Sequence, residues 1–555
     1  MNLRPLARKY ALQNAVLYDG RADEKAVIGK IMAEEPDLRS RSAEVIDVVR
    51  EMVKEVNSLP PEKQREELAE IDPSLLKREK KEKVTELPDL PNVEDGVVMR
   101  LAPYPSGALH IGHSRMAILN DEYVKKYDGK LLLVFDDTIG SEEKVPVAEA
   151  YDLIKEGLDW LGVDCHEVIY KSDRMHIFYE WGERLLKGGH AYVCECPAKV
   201  LRALRERGEE CEHRSSPVDD NAEKWFRMLD GYFGEGEAVV RLKTDMKHPN
   251  PAFRDRVLFR IRNRVHPRMG DRFKVWPLLE FSWAIDDHLL GVTHILRGKD
   301  LIIEDEMEKY LWDIFGLPHR EFVHYGMLRL KEMKLSKSKM SRQIERGVYS
   351  GVHDPRTWTL QSLMRRGIDP QAVRNFTLGF GVSLTDVEVA ADNLYAENRK
   401  LIDGRANRYF FVPDPVEIRL AGKPDDLVVA HAPLHPDVKE RGTRSLDVSR
   451  GVVFVAKEDF DAHAGTEVRL KDFCNVILGE QAEFTSVEVK DIPKIQWSDA
   501  EVPVKVIMPD GSVLKGYGES GLEGVSSGDV IQFERIGFAR IEKGVGGITA
   551  YFAHR

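Results

Sequence analysis

Two histidines flank a glycine in His110-Ile111-Gly112-His113. Before them run an apolar segment, Val97-Val98-Met99, and a turn rich in proline and glycine, Pro103 to Gly107. After them Ile118, Leu119, Tyr123 and Tyr127 continue a helical spacing begun at Ile111, and Gly129 ends it. Strand, turn and helix in this order aim backbone N–H groups at the mouth of a sheet, a ready site for phosphate. Imidazoles in the first turn can donate to phosphate oxygens, and Gly112 lets a flat ring or a phosphate approach closely. Taken alone, such a pair is more often packing or capping. It is not alone, because a short basic loop, Lys334-Leu335-Ser336-Lys337-Ser338, lies far downstream. A third constellation is Cys194-Glu195-Cys196 and Cys211-Glu212-His213, with 15 residues from Cys196 to Cys211. Four soft or borderline ligands in two close pairs are structural zinc chemistry. The pairs are tighter than the usual two-residue gap, so a cluster without metal is the alternative.

The elements around these residues follow from periodicity. Leu131 to Phe135 is a continuous apolar run, as in a parallel strand covered on both faces, and Asp136 and Asp137 fall at its carboxyl end, where open α/β sheets place ligands. The helical stretch Ala148 to Leu161 completes a βαβ rhythm over 96–190. No Gly-x-Gly-x-x-Gly occurs there, so a dinucleotide cofactor is not indicated. Residues 191–270 break the rhythm and carry arginines at 254, 256, 260, 262 and 264. Residues 271–340 return to α/β character, and 341–404 read as a helical connector. From 405 to 555 the period becomes two; Val504 to Met508 and Val513 to Lys515, joined through Pro509-Asp510-Gly511-Ser512, read as a hairpin. Residues 1–90 read as a helical module, with an apolar stripe at Val45, Val48, Val49, Met52, Val53 and Val56, followed by a charged linker, Lys77 to Lys83. Such a module either docks a partner or simply packs on itself.

A chain of 555 residues is too long for one core. Its 42% hydrophobic and 32% charged residues fit a globular protein, and no apolar run approaches the ~18 residues of a membrane span. Five cysteines and an N-terminus without an apolar signal core suit a reducing, cytoplasmic setting. A net charge of −12 does not advertise a nucleic-acid binder, so phosphates would have to meet local basic patches.

The histidine pair and the Lys334 loop, in this order, resemble the HIGH and KMSKS signatures of class I aminoacyl-tRNA synthetases. Arg100-Leu-Ala-Pro103, Phe135-Asp-Asp-Thr138 and Asp286 to Gly298 narrow the resemblance to the glutamyl/glutaminyl group, and the layout is similar to the archaeal-type glutamyl-tRNA synthetases over about residues 10 to 555. The resemblance implies a Rossmann-like catalytic domain in two halves, 96–190 and 271–340, an acceptor-stem-binding insertion at 191–270 with the zinc knuckle, and anticodon-binding β-barrels at 405–555. It implies an enzyme that couples L-glutamate, ATP with Mg²⁺, and tRNA(Glu), with tRNA(Gln) as a second acceptor that the sequence leaves open, and that works as a monomer without a membrane. It places ATP at His110, Gly112, His113, Lys334, Ser336, Lys337 and Ser338. It places the amino acid at Arg100, Ala102, Asp136 and Arg297, with both arginines facing the side-chain carboxylate and Asp136 the α-ammonium. It gives the basic arginines of the insertion to the tRNA acceptor end, against the simpler reading of a solvated face paired with acids.

The chain departs from the family at Tyr104, Val134, Leu279, Trp283 and Ile139-Gly140, where Ser, Asn or Glu, then Arg, Tyr, Asn and an acidic or Asn-Pro continuation are usual. These changes cluster at the amino-acid pocket. A glutaminyl ligase and an idle tRNA-binding paralogue are therefore the competing readings; Arg297 argues against the first, and the intact His110, His113 and Lys337 against the second.

Overall fold

Four helices, α1 (Leu3–Leu17), α2 (Glu24–Glu34), α3 (Ser42–Asn57) and α4 (Pro61–Ile71), build the first of two units, Met1–Val84. The computed structural model describes residues 3–18, 20–34, 42–76, 86–140, 145–332 and 337–555, so the charged run after Leu76 and residues Lys334 to Ser336 lie outside the described residues. Along α3, Val45, Val49, Met52, Val53 and Val56 are buried, and α3 packs on α1, whose Ala7, Tyr10 and Ala11 join the same core. Small residues on α1 let the two backbones come close while the α3 valines fill the seam.

The second unit, Thr85–Arg555, is organised around a sheet. Strands β1 (Val98–Leu101), β2 (Lys130–Phe135) and β3 (Glu167–Tyr170) pair in parallel, with β2 in the middle. Helices α5 (Ser114–Lys126) and α6 (Ala148–Trp160) are the crossovers. The apolar run of β2 is continuous because both faces are covered. Leu131, Leu133 and Phe135 enter one core, and Leu132 and Val134 enter another. Gly129 is required before β2, since a Cβ there would sit 2.3 Å from the Val97 carbonyl oxygen.

Helix α7 (Met175–Lys187) then leads into an antiparallel sheet of β4 (Ala191–Cys194), β5 (Val239–Leu242), β6 (Val257–Ile261) and β7 (Val275–Pro277), which carries α8 (Ala198–Arg207) and α9 (Val218–Leu229). Helix α10 (Leu279–Leu289) returns the chain to the first sheet, where β8 (His294–Gly298) pairs in parallel with β9 (Glu321–Tyr325) across α11 (Ile302–Phe315). The Thr293 N–H donates to Val98 O at 2.9 Å, and the Val98 N–H to Thr293 Oγ1 at 2.9 Å, so β8 lies beside β1. The strand order is therefore β3-β2-β1-β8-β9, and the carboxyl ends of β1, β2, β3 and β8 gather Arg100, Asp136, Lys171 and Arg297.

Helices α12 (Lys337–Glu345), α13 (Leu360–Arg366), α14 (Pro370–Leu378) and α15 (Asp392–Ile402) connect to the β-rich third. That third holds two seven-stranded sheets with separate cores. The sheets are not consecutive along the chain. Phe411–Pro413 pairs with Gly516–Gly518 of the later sheet, so the earlier one is threaded between its first strands and the rest. The expected hairpin is present, with Val504 opposite Gly516 and Ile507 opposite Val513.

Arg366, fully buried at the end of α13, fastens the last strand. Its Nε donates to Phe552 O at 3.1 Å, and its Nη2 to Ala553 O at 2.6 Å and to the Tyr395 hydroxyl at 2.8 Å. Arg366→Ala strands these buried acceptors and is expected to cost ~3 kcal/mol. Thermal melting checks the loss, and hydrogen exchange should localise it to residues 547–554; unchanged protection there would refute this role.

Candidate functional site

His110 and His113 hold each other's ring in place. The segment preceding α5 is a single 3₁₀ turn, Ile111–His113, and the α-helix begins at Ser114. The Gly112 N–H donates to His110 Nδ1 at 3.0 Å, and the His110 N–H to His113 Nδ1 at 3.2 Å. The ring centroids are 3.8 Å apart. With both Nδ1 atoms accepting, each neutral ring carries its proton on Nε2, which makes Nε2 the donor. The backbone N–H of Gly112, expected to face phosphate, is thus already used by an imidazole. Gly112 is sterically required, because a Cβ there would meet His110 Cε1 at 2.9 Å and Leu328 O at 3.3 Å. The turn is tied from behind by Ile111 N–H to Trp358 O at 3.1 Å and Leu360 N–H to Leu109 O at 2.9 Å. Lys337 and Ser338 open α12, while Lys334 and Ser336 lie outside the described residues.

Two of the residues expected to hold an amino acid, Arg100 and Arg297, come together around Trp283, itself only 4% exposed. The Arg100 and Arg297 Cζ atoms lie 4.8 and 5.1 Å from its ring, and Lys171 Nζ lies 5.3 Å from it. Both arginines are already engaged by carboxylates. Arg100 forms a bidentate pair with Asp287, Nε to Oδ1 at 2.5 Å and Nη2 to Oδ2 at 2.7 Å. Arg297 donates from Nε (3.1 Å) and Nη2 (2.5 Å) to Asp305 Oδ1 and from Nη1 (2.7 Å) to Glu308 Oε1. Burial pushes the Glu308 carboxyl up to about 7 against the pull of Arg297.

Asp136 faces Lys171, a lysine with no exposed surface, whose Nζ is 3.1 Å from Asp136 Oδ1 and donates to Ser282 Oγ at 2.8 Å. The Asp136 contact is an ion pair by distance but lacks hydrogen-bond alignment, so Oδ1 keeps acceptor capacity. The neighbouring Asp137 is structural: Tyr151 donates to its carboxylate at 3.0 Å, and the Ser172 N–H and hydroxyl at 2.8 and 2.7 Å. Burial raises the Asp137 carboxyl, and burial beside Asp136 and Asp137 raises the Tyr104 phenol. Ala102 follows β1 half-buried. Among the departures, Val134 packs in the core, Leu279 opens α10, and Ile139 is buried.

Sequence reasoning missed Lys171, Asp305 and Glu308. Lys171 follows the apolar end of β3 just as Asp136 follows β2, a signal that was available. Asp305 and Glu308 sit on α11 one helical turn apart, which reads as surface charge until the helix is packed against β8.

In the insertion, Cys194, Cys196, Cys211 and His213 converge, with their ligand atoms within 4.8 Å of one another. Cys194 Sγ is 3.8 Å from Cys211 Sγ, and His213 Nδ1 is 3.3 Å from Cys196 Sγ and 4.0 Å from Cys194 Sγ. A tetrahedron with ~2.3 Å metal–sulfur arms has edges of roughly 3.8 Å, so the donor set fits zinc. Arg241 Nη1 (3.6 Å) and the Tyr192 hydroxyl (3.7 Å) approach Cys211 Sγ as outer donors. Much of the arginine-rich segment is internal. Arg254 donates to the carbonyls of Arg205 and His248, and Arg256 Nη2 donates to both carboxylate oxygens of Glu304. Arg264 remains exposed.

Asp287→Ala removes the counter-charge of a buried guanidinium, and a loss of ~3–5 kcal/mol is expected in thermal melting; a variant as stable as the parent would mean that Arg100 finds another partner.

The chain matches the family model described as tRNA synthetases class I (E and Q), catalytic domain, over residues 96–403. Two models for the anti-codon binding domain of the same group match residues 406–492 and 487–542. The glutamate--tRNA ligases of Pyrococcus abyssi and Pyrococcus furiosus are each 45% identical to it over 100% of both chains. That of Methanocaldococcus jannaschii is 43% identical over 98% of this chain and 99% of its own. No described helix is long and apolar enough to cross a membrane. With the catalytic and anticodon-binding parts both matched and the kinship running end to end, this chain belongs to the class I tRNA synthetases of the E and Q group.

Proposed function

We propose that the protein attaches L-glutamate to tRNA(Glu) at the expense of ATP. The observation that carries this reading is a parallel sheet with two buried arginines at the ends of β1 and β8, and two Nδ1-locked histidines in the turn after β1, in a chain 45% identical to glutamate--tRNA ligases. In the first step an oxygen of the glutamate α-carboxylate attacks the ATP α-phosphorus, and pyrophosphate leaves. In the second, a ribose hydroxyl of the terminal tRNA adenosine attacks the carbonyl of the glutamyl-adenylate, and AMP leaves. Neither step needs a covalent bond to the protein, whose share is positioning and charge stabilisation.

His110 and His113 present Nε2–H donors to phosphate oxygens as negative charge grows there. Because the backbone fixes their Nδ1 atoms, the rings need no reorganisation during the reaction. Gly112 gives the nucleotide its clearance. Lys337, with Lys334, Ser336 and Ser338, supplies positive charge and donors to the departing pyrophosphate. Arg100 and Arg297 face the side-chain carboxylate of glutamate, with Ala102 bordering it, and Asp136 accepts from the α-ammonium. Mg²⁺ accompanying ATP would supply further neutralisation of phosphate charge. In the insertion, Cys194, Cys196, Cys211 and His213 would hold a structural Zn²⁺, which would tie together the loops at the ends of β4 and α8.

ATP–pyrophosphate exchange with glutamate or glutamine, each with and without tRNA, tests the reading. Exchange with glutamate is expected, and separate tRNA(Glu) and tRNA(Gln) transcripts then report acceptor range. His110→Asn and His113→Asn should each lower exchange ~10²–10³-fold with little change in the KM for glutamate. Exchange with glutamine alone would instead identify a glutaminyl ligase. Metal analysis should find about one zinc per chain, released in Cys211→Ser; a folded, zinc-free chain would remove the metal assignment.

A further inference from the structure

The buried charges around the two arginines do not balance. Arg100 and Arg297 supply two positive charges, and Asp287, Asp305 and Glu308 supply three negative ones, all nine-tenths or more buried. Among the described residues, Glu308 Oε2 has no hydrogen-bond partner, although the Glu308 side chain is fully buried and its Oε1 accepts from Arg297. A substrate carboxylate brought to these guanidiniums would place a fourth negative charge beside the two arginines, with Lys171 across the Trp283 ring already taken by Asp136. Uncompensated buried charge at that density is too costly to hold. One carboxylate must be neutral when the site is filled, and the one with an open oxygen for a proton is Glu308.

We infer that Glu308 takes up a proton as glutamate binds and thereby sets the affinity of the pocket for an acidic side chain. The inference rests on the proposed glutamate reading. A protonated Glu308 leaves Arg297 Nη1 to the substrate carboxylate, and its own hydroxyl becomes a donor to that carboxylate. The groups facing Glu308 are Arg297 from β8, Arg100 from β1 and Asp287 from α10, with Asp305 on its own helix. His324 on β9 touches the other oxygen of Asp305 at 2.9 Å, and Glu304 on α11 is matched by Arg256. The Glu308 carboxyl, lifted by burial and by the charge of Asp287, titrates near neutrality, which puts the effect within reach of an ordinary assay.

The experiment is the KM for glutamate in ATP–pyrophosphate exchange, full-length enzyme with tRNA, at pH 6 and pH 8, with the KM for ATP measured alongside. The protonated form binds, so the KM for glutamate should rise about tenfold from pH 6 to pH 8 while that for ATP stays level. In Glu308→Gln, which keeps an acceptor for Arg297 without the charge, the rise should vanish, and the KM at pH 8 should fall to near the parent's value at pH 6. Two results overturn the inference while leaving the proposed function standing. One is a KM for glutamate in the parent that does not change with pH. The other is a rise that survives in Glu308→Gln, which would move the proton elsewhere, to His324 first. Exchange with glutamine and none with glutamate at either pH would remove the proposed function and this inference with it.

Discussion

A buried guanidinium needs acceptors for its protons and a balance for its charge, and much of the catalytic unit is arranged so that carboxylates give both to two of them. Arg100 leaves the end of β1 and meets Asp287 from α10; Arg297 leaves the end of β8 and meets Asp305 and Glu308 from α11. The two arginines sit on neighbouring strands, so β1, β8, α10 and α11 are locked to one another by charge as well as by apolar packing. Trp283 fills the space between the guanidiniums and supplies the face of a ring to both. The desolvation cost of this cluster is high, and what it secures is less stability than two cations held at defined places.

The histidine turn uses the opposite strategy. It has few buried charges, and its order comes from the backbone. A proline- and glycine-rich turn brings two imidazoles to one 3₁₀ turn, and main-chain N–H groups fix their tautomers. The cross-connection to Trp358 and Leu360 lets the helical connector set the height of that turn. One half of the site is thus built from side-chain ion pairs and the other from main-chain hydrogen bonds. The former is sensitive to protonation and the latter to local geometry.

The insertion and the β-rich third show what position in the chain hides. The arginines of the insertion look like a tRNA-facing patch when read in line, yet Arg254 and Arg256 turn inward to carbonyls and to Glu304, because β6 and its edges lie against α8 and α11. The period-two segments from 405 onward read as β-barrels with no order given to their strands, and the chain enters the later sheet first at Phe411–Pro413 and returns to it only after completing the other. Long-range strand pairing carries no local signature, so periodicity finds the strands and not their order.

By itself the sequence determined the elements and the chemistry-bearing motifs. The alternation around Gly112, the apolar run before Asp136, the paired Cys-x-Cys and Cys-x-His and the valine stripe of α3 are all local patterns, and local patterns encode strand, turn, helix and ligand spacing directly. Tertiary structure alone decided the charge state of the pocket. Lys171 comes to Asp136 from another strand, and Glu308 comes to Arg297 from a helix whose acids resemble solvent-facing ones in the sequence. Whether a charged side chain is a surface residue, a counter-ion or a proton acceptor depends on burial and on the sign of its neighbours, and those are properties of the packed chain.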